Sequence, residues 1–225
     1  MGRNKLERFE DNRKSIYVVE DGKPFFGECG GKWKSDFFKN DNDLIVELGC
    51  GRGEYTIGLG TKFLNKNFVG VDIKGSRIWV GSRKAKDLEM KNVAFLRTQI
   101  ELIERHFGVG EIDELWITFP DPRPKDRDEK RRLTAPNFLR MYRSLIRDDG
   151  WVKFKTDNTD LFNYTLEVLQ TEIKIKNLEY TFDLYDSELI LEHHDVKTKY
   201  ETLFFEKGES IKYMKFQFYL SGADH

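Results

Sequence analysis

The sequence predicts an α/β fold built on a doubly wound, mostly parallel sheet that ends in an antiparallel C-terminal edge strand. Three observations predict it. From Leu44 onward, short apolar runs alternate with longer amphipathic stretches, the pattern of strands joined by crossover helices. A glycine-rich turn follows the first apolar run directly. The last apolar stretch alternates apolar and polar side chains, as a half-solvated antiparallel strand does.

Taken in order, the strands are expected at Leu44 to Leu48, Phe68 to Asp72, Val93 to Arg97, Glu114 to Phe119 and Gly150 to Lys155. A crossover helix is expected over Ser76 to Met90, where Ile78, Trp79, Ala85 and Leu88 recur at helical spacing. A second is expected over Ala135 to Arg147, with Thr134 as N-cap and Pro136 in the first turn. A third helix fits Thr159 to Leu169, and strand-like stretches follow at Leu178 to Asp183 and Ile211 to Leu220. Residues 1 to 43 are charged, carry scattered aromatics (Phe25, Phe26, Trp33, Phe37, Phe38) and keep no period. They are expected to form an irregular arm packed on a domain spanning 44 to 225. In such a sheet the ligand sits beyond the carboxyl ends of the strands.

The chain's 225 residues with 39% hydrophobic content allow one substantial core. Lys and Arg number 38 against 39 Asp and Glu, so no overall basic field draws the chain to nucleic acid, and any RNA site must be a local patch. Cys29 and Cys50 have neither ligand-type spacing nor the number a disulfide framework needs, which suits the reducing cytoplasm. No apolar run approaches a membrane span, and the first residues lack the apolar core of a signal peptide. The chain is expected to act in the cytoplasm, away from membranes, as a monomer or homodimer.

The most informative stretch is Glu47-Leu48-Gly49-Cys50-Gly51-Arg52-Gly53, which leaves a strand and enters a helix. Its glycines let the backbone turn sharply and approach a ligand. A phosphate-cradling loop would end in Gly-Lys-Ser/Thr, and a dinucleotide loop would space its glycines G-x-G-x-x-G; this one reads G-x-G-x-G. That spacing argues against a nicotinamide-dependent oxidoreductase on the same sheet. Glu47 before the loop suits a ligand with a cationic end, and Asp72, ending the second strand, can accept hydrogen bonds from ribose hydroxyls. Here the sequence resembles class I methyltransferases of Rossmann-like fold. The resemblance implies S-adenosyl-L-methionine as cofactor, held by the Gly49, Gly51 and Gly53 loop. Cys50 reads as a small core residue.

At the end of the fourth strand, prolines 120, 122 and 124 stiffen the segment around Asp121. Arg123, Lys125, Arg127, Lys130, Arg131 and Arg132 outweigh the local acids and form a plausible phosphate-contacting patch. With Thr156-Asp157 and Thr198-Lys199-Tyr200-Glu201, these motifs resemble the bacterial tRNA (guanine-7-)-methyltransferases from Leu44 to about Phe205. The resemblance implies that Glu47 and Asp72 bind cofactor, with Gln99 near the adenine and Asp121, as catalytic residue, where cofactor and base meet. It places Lys125, Asp157, Thr198, Lys199 and Glu201 on the tRNA side and makes guanine 46 of the variable loop the target. The chain departs from the family pattern at Arg123-Pro124, where Trp is common, at Gln99, often Asp, and at Leu161, often Tyr.

Nitrogen 7 of guanine has a free lone pair and no proton, so its methylation requires alignment and a fixed carboxylate rather than a nucleophilic Cys or Ser. Asp121, assisted by Asp157, is the expected carboxylate. A non-catalytic RNA-binding module on the same fold, or another target for the same chemistry, would keep most of these features. The cluster Glu192-His193-His194-Asp195 invites a metal, but adjacent strand side chains point to opposite faces, so no metal is expected. His106 reads as a helix-end charge or a surface residue.

Overall fold

A computed structural model describes residues 3–219. The first five apolar runs form β2 (Asp43–Leu48), β3 (Lys66–Asp72), β4 (Val93–Arg97), β5 (Ile112–Thr118) and β6 (Ile146–Thr156). All five lie parallel. Near the C-terminus, β7 (Ile175–Thr181) and β8 (Lys212–Phe218) run antiparallel, with β8 inserted between β6 and β7. The eight-stranded sheet therefore has the order β1-β4-β3-β2-β5-β6-β8-β7, with β1 (Val18–Val19) added as a parallel edge on β4. Of the expected last strand, Leu220 lies outside the described residues.

The first 43 residues are more ordered than an irregular arm. Residues Arg3–Lys14 form helix α1, which lies against α3 (Gly75–Asp87). Asn12 Nδ2 donates to the Gly75 carbonyl at 2.8 Å, and Trp79 Nε1 donates to Asp11 at 2.8 Å. The charged sequence hid this helix, because its apolar contribution is small and its partner lies some sixty residues away. Further on, Trp33 is fully buried, stacked on Phe107, with its indole N–H donating to the His106 carbonyl at 2.7 Å. His106 is likewise buried. It meets Cys29 Sγ at 3.4 Å and Thr98 Oγ1 at 3.1 Å, and burial lowers its pKa; the surface reading is overturned by the arm that covers it.

Two apolar layers enclose the sheet. One face packs Val46, Leu115, Phe154 and Met214 under α4 (Pro136–Leu145) and α5 (Thr159–Thr171). The other packs Ile45, Phe95 and Trp116 against α2 (Glu54–Lys62) and α3. Each large apolar side chain buried this way contributes about 1.5–3 kcal/mol before chain entropy is counted. Helix α4 has Ala135, not Thr134, at its N-cap. Thr134 instead shares a hydrogen bond with Thr165 on α5 at 2.7 Å, so tertiary pairing displaces the local cap. Helix α4 also ends before Arg147, because Ile146 already pairs with Ile112 in the sheet.

Candidate active site

Strands β2, β3 and β4 are laid down in one direction from the sheet centre, and β5 and β6 in the other. The strand order reverses between β2 and β5, and there the loops leaving the two strands diverge and open a crevice. A cavity of about 1100 Å³ occupies that position. Glu47, Gly49 and Gly51 from β2 and its loop line one part, and Phe119, Asp121 and Arg123 line another. Asp157, Thr198 and Lys199 line the cavity as well.

The glycine loop owes its shape to two constraints. Gly49, at φ 71°, has no atom within 4 Å of where a Cβ would stand, leaving bare backbone facing the cavity. Gly53, also at φ 71°, would drive a Cβ to 2.4 Å from the Phe95 ring; its absence lets α2 start directly over the sheet. Asp72 fastens the loop from β3, accepting from Gly51 N–H at 3.0 Å with one oxygen and from Lys74 N–H at 2.7 Å with the other. It stands at the loop's edge, behind the cavity lining. Cys50 is buried, and burial pushes its thiol well up, as expected of a core residue.

Glu47 is almost fully buried. It accepts from Thr56 N–H at 3.0 Å, from Thr56 Oγ1 at 2.5 Å and from Thr118 Oγ1 at 2.6 Å. Burial nevertheless outweighs these donors and pushes its pKa up to about 7. A carboxyl poised this way, in a cavity wall, suits a cationic ligand group.

Asp121 sits at the mouth with its side chain 65% exposed. It accepts from Arg123 N–H at 3.2 Å and faces the Arg123 guanidinium at 3.2 Å. Phe119 and Arg123 both have φ 47°, a region that costs a non-glycine residue energy and clusters at functional sites. Asp157 is half-buried, which raises its carboxyl, while Lys212 Nζ donates to its carbonyl at 2.8 Å. The cap of α5 is Asn158, which accepts from Leu161 N–H at 2.8 Å; Asp157 is thereby left to the cavity.

The Thr198 stretch begins a helix, α6 (Lys199–Glu206), which the sequence pattern did not reveal. Thr198 caps it, accepting from Glu201 N–H at 3.1 Å, and Lys199 N–H donates to Glu54 at 2.6 Å. Glu201 does not sit on the surface expected of a tRNA contact. Its side chain is 0% exposed and is taken up by Lys155, His193 and Tyr185. Gln99, two residues beyond β4, and Lys125, before the short 3-10 turn Asp126–Arg131, are exposed and lie outside the cavity lining. Arg52, Lys74 and Arg77, which sequence reasoning did not single out, also line the cavity. The histidine cluster divides its members: Glu192 binds Lys153 at 2.8 Å and Lys215 at 2.9 Å, while His193 meets Glu201 at 3.0 Å.

The cavity's walls fit a ligand with a cationic end and a close approach to the backbone. Glu47 offers a buried carboxyl, the glycine loop offers bare backbone for close approach, and Arg52, Lys74 and Arg77 add basic charge to the lining. The comparisons agree. A family model described as "Putative methyltransferase" matches residues 41–214. The solved "Structure of an Antibiotic Related Methyltransferase" has a TM-score of 0.59 at 16% identity, covering 81% of this chain and 90% of that one. The 16S rRNA methyltransferase KamB likewise has a TM-score of 0.59 at 14% identity, covering 80% and 89%. Both likenesses concern the fold. The fold is that of a class I methyltransferase, and the methyl donor is S-adenosyl-L-methionine.

The tRNA (guanine-N(7)-)-methyltransferase of Cytophaga hutchinsonii is 44% identical over 97% of this chain and 99% of its own. That of Bacteroides thetaiotaomicron is 45% identical over 96% and 86%. The chain belongs to the tRNA (guanine-N(7)-)-methyltransferase family.

Proposed function

We propose that this protein methylates nitrogen 7 of guanine 46 in the variable loop of tRNA, in the cytoplasm. The observation that carries the reading is the place of Asp121: an exposed carboxylate lining the same cavity as Glu47, the glycine loop, Asp157, Thr198 and Lys199. The names of the relatives in Cytophaga and Bacteroides support guanine in tRNA as the substrate.

S-adenosylmethionine, when bound, supplies an electrophilic methyl group. Glu47 would hold its ammonium, Gly49 and Gly51 would admit it to the backbone, and Asp72 would support the ribose side. Asp121 accepts hydrogen bonds from the guanine edge and favours the positive charge that develops on the purine. Nitrogen 7 loses no proton, so Asp121 need not act as a base; its role is alignment and charge. Asp157, Thr198 and Lys199 would hold the nucleotide, and Lys125, with the basic turn beyond it, would contact phosphates. Gln99 would lie toward the adenine edge. Glu201 would serve the tRNA side from behind, through the helix it anchors.

The test is transfer of labelled methyl to unmodified tRNA transcripts carrying guanine or adenine at position 46. Labelling of the guanine form alone is the expected result. Equal labelling would move the target elsewhere, and cofactor binding without labelling would make the protein a binding module.

A further inference from the structure

Lys155, near the end of β6, and Glu201, on α6, form an ion pair at 2.7 Å in which both side chains are 0% exposed. Taking two charges out of water costs so much that an apolar pair of similar volume is often as stable or more so. What a buried pair provides that an apolar one does not is a single permitted alignment. Lys155 also meets other parts of the site. Its ammonium lies 5.3 Å from the Tyr55 ring centroid, on the helix that follows the glycine loop, and 5.8 Å from that of Phe119. Its carbonyl accepts from Phe119 N–H at 2.8 Å, holding the residue at φ 47° that leads into Pro120 and Asp121. Glu201 is fixed in turn by His193 at 3.0 Å and Tyr185 at 3.1 Å.

We propose that the Lys155–Glu201 pair registers α6 against the Asp121 loop, making Lys155 a positioning residue for methyl transfer. The pair joins the helix that Thr198 caps and Lys199 begins to the loop that carries Asp121, and does so from the interior, since neither Lys155 nor Glu201 lines the cavity. This rests on the proposed function for its catalytic consequence, and not for its structural one.

The test is hydrogen–deuterium exchange on the full chain, beside turnover with tRNA and calorimetric binding of S-adenosylmethionine. In Glu201→Gln, amides of residues 117–123 should exchange about ten-fold faster although the substitution lies on α6. Lys155→Met should loosen both segments together, and faster exchange confined to 199–206 would overturn the coupling. Turnover should fall about thirty-fold in both variants while cofactor affinity stays within about three-fold. Lys155→Arg should keep more turnover than Lys155→Met. The double variant Lys155→Met/Glu201→Leu removes both charges and should regain the melting temperature but not the turnover; recovery of both would make the pair structural only and overturn the proposal. A wild-type chain that transfers no methyl to tRNA would defeat the functional reading, and the exchange data would still decide the coupling.

Discussion

Arg123 holds Asp121 twice, through its backbone N–H and through its guanidinium, each at 3.2 Å from a different carboxylate oxygen. The carboxylate at the cavity mouth is therefore aimed by the residue two positions further on. Both side chains are well exposed, and such a pair adds little to stability. Arg123→Ala should leave the melting temperature unchanged and lower turnover about three- to ten-fold by releasing Asp121. Steady-state kinetics beside a thermal melt would check this, and unchanged turnover would count against it.

Asp121→Asn keeps the shape of the carboxylate and removes its charge. Turnover should fall about 100-fold, or ~2.7 kcal/mol of transition-state stabilisation. Calorimetry should find S-adenosylmethionine affinity within about three-fold of the wild type. Normal turnover in this variant would remove Asp121 from the reaction.

Glu47 makes cofactor binding depend on pH. Its folded pKa, raised by burial from 4.5 to about 7, means that its contribution to stability is fully present below pH 4.5 and is lost as pH rises through 7. Binding runs the opposite way, because a cation beside Glu47 needs the carboxylate. Affinity should rise with pH toward 7, by at most about ten-fold per unit, and level off above. Glu47→Gln should bind more weakly and flatten the profile; a wild-type profile already flat from pH 5.5 to 8 would refute the pairing.

Gly53→Ala tests the loop's packing. The added Cβ would face the Phe95 ring at 2.4 Å, from a backbone at φ 71° that disfavours side chains. Overpacking with strain should cost about 2 kcal/mol, which lowers the melting temperature of a chain this size by about 4–8 °C. A differential scan would register it.

Lys125→Ala should act on RNA alone. Lys125 is exposed and outside the cavity lining, so cofactor affinity should not change. The salt dependence of tRNA binding should lose about one unit of slope. An unaltered slope would place the phosphate contacts elsewhere on the basic turn.

By itself, the sequence determined the parallel core of the sheet, because each of the strands β2 to β6 is a local apolar run that needs burial wherever it lands. It also determined the glycine loop, since positive φ at Gly49 and Gly53 is a property of those residues alone. Asp121 was legible for the same reason, set among prolines at a strand's end. Only the tertiary structure decided the rest. Whether Glu201 would face RNA or the interior depended on Lys155, 46 positions earlier in the chain, being brought under α6. Asp157 became a cavity residue because its neighbour Asn158 took the cap. Helix α1 and buried His106 needed partners distant in the chain. A buried charge or a weakly amphipathic helix has no local signature; its energy lies in the partner that folding supplies.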